Sequence, residues 1–479
     1  LTLSAGRFVG DGGDVNLSAD QLTLSNLGAS AAPADTVAGG GLLHLQGREV
    51  AFAGGDKQLT GFGAVAVDAA QTLYVRDRGQ FDFGTRDVDL RTPLLLADAG
   101  ADQTLRTGGA LRLQRSGGSA GAAQPLGGRV SLVGASIDSS GLIRANSGGI
   151  VLRSTEGAVR LHDGAALDAS GVASAFFGAT RPTQGGMVTL QAAAGDVLAD
   201  ASTRIDVSAV GSADAGSVNL LAAQGRVALP GRLDGHAAQG RGGRFVLDSG
   251  SAIALDPLAV QLAGSGFDGA IDLHARSGNL LLSAGNTLRA DAVTLTADGG
   301  ADATARDAAN GNIGIAGSID ASGTQGGSIA LWGRHGVAID GQLLARGSAA
   351  DKRGGSIALG SSGRDDGTLN TDYGYQNVQA GAAGTIAIGA NAVLDVSGGS
   401  AGGLAGGNVE IRTPLLADGE VNVTVANGAS VRGAREVGLE AYAVWSTTDA
   451  SVDPNKHFDG IIDPAGWYDA QGALLAGSW

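Results

Sequence analysis

One pattern recurs from end to end of this chain: a glycine-containing turn followed by apolar, any residue, apolar. It reads Gly13-Asp14-Val15-Asn16-Leu17, Gly128-Arg129-Val130-Ser131-Leu132, Gly186-Met187-Val188-Thr189-Leu190, Gly216-Ser217-Val218-Asn219-Leu220, Gly327-Ser328-Ile329-Ala330-Leu331, Gly355-Ser356-Ile357-Ala358-Leu359 and Gly407-Asn408-Val409-Glu410-Ile411. Apolar residues two apart share one face of a strand. Counting weaker copies, such strands start at Val15, Leu43, Val65, Val88, Leu111, Val130, Val151, Val188, Val218, Phe245, Ile271, Val293, Ile329, Ile357, Ile386, Val409 and Val437. The mean interval is about 26 residues, a repeat that overrides any domain count taken from length. Between starts lie two more short runs, as at 329–331, 337–339 and 343–345, parted by turns of Gly, Asn, Asp and Ser. Three strands and three turns make one coil.

A single coil cannot enclose a core, but stacked coils bury one another's apolar faces. The expectation is an all-β fold, a right-handed parallel β-helix of about seventeen three-strand coils with insertions in its turns, some 80 Å long at about 4.8 Å per coil. Helical patterning is nowhere evident. Candidate insertions are residues 26–40, 116–126, 172–184, 297–310, 361–383 and 397–406. Residues 1–444 read as the shaft. Residues 445–479 read as an aromatic segment, with Trp445, Phe458, Trp467, Tyr468 and Trp479, that covers the last coil. A longer echo, 88–98 against 409–418, reads as a repeated corner with Pro93 and Pro414 in equivalent places.

Composition narrows the partners. Formal net charge is −15 with no Lys/Arg cluster, so no footprint for nucleic acid or an anionic membrane surface is expected. There is no Cys, hence no disulfide, thiolate metal site or Cys nucleophile. No apolar run approaches the roughly 20 residues of a membrane span. Leu1 is neither a start Met nor the head of a signal sequence, so the chain reads as processed or excised from something longer.

The Gly-Gly-x-Val-x-Leu strands, the Asp-Ala-Ser-Gly turns, the absence of Cys and the Ala/Gly/Ser/Asp/Val bias together resemble the shaft of filamentous-haemagglutinin-like exoproteins of Gram-negative two-partner secretion. The resemblance covers nearly the whole chain and rests on repeat grammar. It implies a structural segment of a large surface or secreted adhesin, mediating cell-cell, matrix or host attachment, with roles in biofilm or virulence. The implied partners are a glycan or exopolysaccharide, a host or bacterial cell-surface receptor and, for the full-length parent, an outer-membrane transporter. The implied location is secreted or on the outer face of the outer membrane. The family's Asn-Pro-Asn secretion motif and its Val-Glu-Asn-Asn junction are both missing, so neither secretion nor toxicity is assigned to this piece.

Site chemistry is sparse. His44, His162, His236, His274, His335 and His457 lack ligand spacing and read as isolated surface groups, and no metal or cofactor is expected. Asp298, Asp302 and Asp307 form an acidic loop that reads as a solvated turn. One slot in the coil holds Arg144, Asp168, Asp206, Asp234, Gln261, Arg289, Asp320, Leu344, Gln379, Asp395 and Arg432 in turn. Asp168, Asp206 and Asp234 would then stack about 5 Å apart. Such carboxylates support an alternative, a β-helix polysaccharide lyase or glycoside hydrolase, because retaining glycosidases hold their acids about 5 to 5.5 Å apart. Asx-turn chemistry explains the same recurrence without catalysis, and no enzyme is expected. For a ligand, the insertion 361–383 stands out. Arg364, Asp365, Asp366, Tyr373 and Tyr375 combine rings that stack on a pyranose with groups that bond its hydroxyls.

Overall fold

The computed structural model describes residues 1–28, 39–119, 121–299, 310–361, 369–370, 375–378, 384–399, 405–414, 421–442, 444–446 and 459–460. These form a parallel β-helix, divided into two compact units: Leu1–Ser249 with Ser265–Gly269, and Gly250–Gly264 with Ala270–Trp479. In each unit three lines of strands run in parallel, and each strand pairs with its counterpart one coil along. A coil of the first unit is Gly149–Ser154, Val159–Leu161 and Ala166–Asp168; one of the second is Ser328–Gly333, Gly336–Ile339 and Gln342–Leu344.

Register shows how the core arises. Along the first line of the first unit, Val130, Ile150, Val188, Val218 and Phe245 are successive partners, as are Leu132, Leu152, Leu190, Leu220 and Leu247, and all point inward. The alternating pattern of each strand thus becomes two continuous apolar columns, the successive members of each standing one strand spacing apart. Near the amino terminus the interior is aromatic. Phe81 stacks on Phe83 with centroids 4.3 Å apart, and Phe52 meets Phe81 edge-on at 5.3 Å.

The recurrent glycine pair that opens the first strand has a steric cause. A Cβ on Gly148 would lie 1.8 Å from the Gly128 carbonyl oxygen, and one on Gly355 would lie 1.9 Å from that of Gly327. Backbone of adjacent coils touches there, and only glycine fits. The corner is closed by bonds such as Gly186 N–H to Ala169 O at 2.7 Å.

Four expectations are corrected. The starts Val15, Leu43, Val65, Val88 and Leu111 belong to the second line of strands, whereas Val130 and its followers belong to the first. Ile386 also sits on the second line, paired with Val337, and begins no coil of its own. All three lines carry the same alternation, so periodicity alone cannot tell them apart. The echo 88–98 and 409–418 likewise falls on different lines: Asp87–Thr92 is a second strand, Gly407–Pro414 a first strand. What the copies share is an inward file of Val, Leu or Ile, then a buried threonine. Thr92 Oγ1 donates to Leu94 O at 2.9 Å and Thr413 Oγ1 to Gly384 O at 2.8 Å.

The last correction is a helix, Leu255–Ala263, which the chain forms where second and third strands would follow Arg244–Ser249. Leu255, Ala259 and Leu262 are its buried residues, and Pro257 is tolerated in the first turn because no helical donor is required there. The helix packs on Leu280–Leu282 and Thr287–Arg289, the terminal strands of their sheets, and so covers edges that would otherwise present unpaired backbone groups. Gln261 is consequently helical and leaves the strand slot.

Candidate functional site

The aspartate column is real. Arg144, Asp168, Asp206 and Asp234 are successive partners along the third line of the first unit. In the second unit the order is Arg289, Asp320, Leu344, Asp395 and Arg432, with Leu344 paired directly to Asp395; Gln379 lies outside the described residues.

Each carboxylate closes its own turn, and in the first unit each also meets a guanidinium. One oxygen closes its own turn: Asp168 Oδ1 accepts from Ser170 N and Oγ at 3.2 and 2.7 Å, Asp206 Oδ1 from Ser208 N and Oγ at 3.0 and 2.6 Å, and Asp395 Oδ1 from Ser397 N and Oγ at 3.0 and 2.5 Å. At Asp234 a histidine replaces the serine, with His236 Nδ1 at 2.9 Å. The other oxygen meets a guanidinium: Arg144 Nε lies 3.1 Å from Asp168 Oδ2, and Arg204 Nη2 lies 2.6 Å from Asp206 Oδ2 and 3.6 Å from Asp234 Oδ2. Arg232 adds a contact to Asp234 at 3.5 Å. Charge in the first unit's column is therefore neutralised in place. In Asp168, Asp206 and Asp234 both oxygens are engaged in this way.

Arg204 and Arg232 were not foreseen, although a signal existed. In Arg204-Ile205-Asp206 and Arg232-Leu233-Asp234 the basic residue stands two before the acid, on the same strand face. The histidines are also not isolated. His44 Nε2 lies 2.6 Å from Asp68, His274 Nε2 2.6 Å from Asp298 and His162 Nε2 3.0 Å from Asp138. These partners come from other coils, 24 residues away in each case, which local spacing does not reveal. Among the described residues no three His, Asp or Glu side chains gather as a metal set.

Of the expected ligand patch, Arg364, Asp365, Asp366 and Tyr373 lie outside the described residues. Tyr375 opens the strand Tyr375–Val378, whose backbone pairs antiparallel with Leu369–Asn370 and Val444–Ser446; its side chain lies outside the description. His457 and most of 445–479 lie outside it too.

The insertion 172–184 is described, and it is a β-hairpin of Ala173–Phe176 and Ala179–Pro182. Its two-residue turn is Phe177-Gly178, at φ of 47° and 78°, as the twist of a tight hairpin requires. Phe177 occupies the left-handed region, unusual for a bulky residue, and is 96% exposed. Its root is fixed by Thr183, whose Oγ1 accepts from Val172 N at 2.8 Å and meets Ser147 Oγ at 2.6 Å. Residues 169–195 contain no acidic side chain, in a chain with 47 of them.

No family model matches the chain, and no curated protein matches it. Among solved structures, the crystal structure of the HMW1 secretion domain from Haemophilus influenzae is similar, with 11% identity over 89% of this chain and 91% of that one. The TM-score is 0.26. The fold assignment above rests on strand register and not on that likeness.

Proposed function

We propose that this chain is a structural shaft segment of a large bacterial adhesin, secreted or displayed on the outer face of a Gram-negative outer membrane. Attachment to cells, matrix or exopolysaccharide is carried by turns and insertions, of which the 173–182 hairpin is one described example. The full-length parent crosses the outer membrane through a transporter partner. The observation that carries the reading is the occupied aspartate column: residues placed for a glycosidase are consumed by turn closure and by arginine, as a repeating scaffold needs. Recurrent motifs then serve coil geometry, and contact chemistry is left to what projects from the coils.

Two measurements test this. Beads coated with the chain should attach to bacterial or host cells, and attachment should fall when residues 173–182 are replaced by a short glycine turn. Acidic and neutral polysaccharides incubated with the chain should release no new reducing ends. Release that disappears in Asp206→Ala would establish the lyase or hydrolase alternative instead.

A further inference from the structure

The second unit carries an outward-facing groove that the sequence did not single out. Its first-line strands Ser328–Gly333, Ser356–Ser361 and Gly407–Pro414 turn Ile329, Leu331, Ile357, Leu359, Val409 and Ile411 inward, and Ala434–Tyr442 pairs with the last of them, its Val437 and Leu439 exposed. The alternate positions face out. Trp332, Gly360, Arg412 and Glu440 are successive partners in one outer row, and Ala330, Ala358, Glu410 and Gly438 form the next.

Trp332 would ordinarily stand beside a side chain on the following strand. Here that position is Gly360, and a Cβ on it would lie 2.1 and 2.2 Å from Trp332 Cε3 and Cζ3. The benzo ring therefore lies across Gly360, which is buried beneath it, while Trp332 remains 38% exposed. Beside the indole opens a groove of about 330 Å³ whose floor holds Ala358 and Gly438 and whose walls carry Glu410, Arg412 and Glu440. Arg412 Nε stands 3.3 Å from Glu440 Oε2, which holds both groups along the rim.

We propose that this groove binds a neutral hexopyranose unit of a glycan. An indole lying along a sheet offers the flat apolar face on which the C–H side of a pyranose stacks. Two carboxylates accept from ring hydroxyls, and a guanidinium donates to them. Two acids against one base give the groove a net negative charge, which disfavours uronates and sulfated sugars. The volume lies at the lower end for small-molecule sites, enough for one or two sugar rings. The small residues Ala358, Gly360 and Gly438 set the depth, since a larger outward side chain at any of them would fill it. The assignment deepens the adhesin reading, and its test does not depend on attachment.

The test is calorimetric titration of the full chain with cellohexaose, chitohexaose and, as an acidic control, hexagalacturonate. At least one neutral probe should bind, and more tightly than the acidic one. Trp332→Ala should weaken that binding about tenfold or more, the scale of a lost stacking contact. Gly360→Ala, which keeps the indole but forces it off the strand, should weaken it comparably. Arg412→Gln should weaken it by a smaller factor. Melting curves identify the folded variants; should Trp332→Ala fail to fold, Gly360→Ala and Arg412→Gln decide. Absence of binding by both neutral probes, tighter binding of hexagalacturonate, or unchanged affinity in the folded variants would overturn the assignment. Bead attachment measured in parallel separates the two readings. Attachment without probe binding removes this site and leaves the adhesin reading standing. Probe binding without attachment supports the site and counts against the adhesin.

Discussion

The two units share one coil but manage charge differently. In the first, Lys57 is wholly buried, its ammonium donating to the carbonyls of Ala53, Gly54 and Gly55. Arg86 is buried too and donates to the carbonyls of Leu59, Phe62 and Phe83. Three carboxylates stack in the third line: Arg144 pairs with Asp168, Arg204 bridges Asp206 and Asp234, and Arg232 adds a contact to Asp234. In the second unit no Lys or Arg is buried among the described residues, and the same column alternates Arg289, Asp320, Leu344, Asp395 and Arg432. The difference separates two causes that coincide in sequence. Aspartate recurs because the turn needs an acceptor two residues before a serine or histidine N–H. Whether neighbouring aspartates need arginine depends on what the adjacent coil places beside them.

The largest expected effect concerns Lys57. Burial pulls its ammonium down to about 8 from 10.5, against the pull of Asp56 and Asp77. Below pH 8 both folded and unfolded chains carry the proton, and folding bears the whole cost of the buried charge. Between pH 8 and 10.5 the folded state alone releases it, so the Lys57 contribution to stability rises with pH by up to about 3 kcal/mol. Stability of the wild type relative to Lys57→Met should therefore climb from pH 7 to 10.5 in parallel denaturant titrations. A difference that stays flat would show that the carbonyl cage, not burial, sets this group.

Next comes the column. Asp206→Ala removes two turn bonds and leaves Arg204 facing Asp234 alone, which should cost about 2 kcal/mol; Asp320→Ala, with one described turn bond and a more exposed arginine partner, should cost about 1 kcal/mol. Equal losses would erase the distinction between the units.

Leu344→Asp brings the three-acid arrangement into the second unit without an Arg204 beside it. A loss of about 1 kcal/mol is expected at low salt, shrinking as ionic strength rises. A salt-independent loss would mean that lost packing, not repulsion, is responsible.

The smallest effect belongs to the hairpin tip. Phe177→Asn relieves a bulky residue held at positive φ and should raise stability by about 0.5 kcal/mol. Destabilisation would show that the Phe177 ring supports the hairpin.

Legibility followed distance along the chain. Strand alternation, glycine corners and Asx turns were readable because their determinants lie within a few residues, and the register of Asp168, Asp206 and Asp234 followed from turn grammar alone. The helix Leu255–Ala263 escaped notice because Leu255, Ala259 and Leu262 are too few to stand out against strand-like surroundings. The groove at Trp332 escaped because its walls come from four coils, separated by insertions of unequal length. Sequence by itself determined the coil: a period-two apolar file and a corner where only glycine fits. Tertiary structure alone decided which of three identical-looking lines each strand joins, which arginine neutralises which aspartate, and where an indole lies down over a glycine. Those choices depend on the offset between adjacent coils, and the loops that set the offset carry no periodic signal.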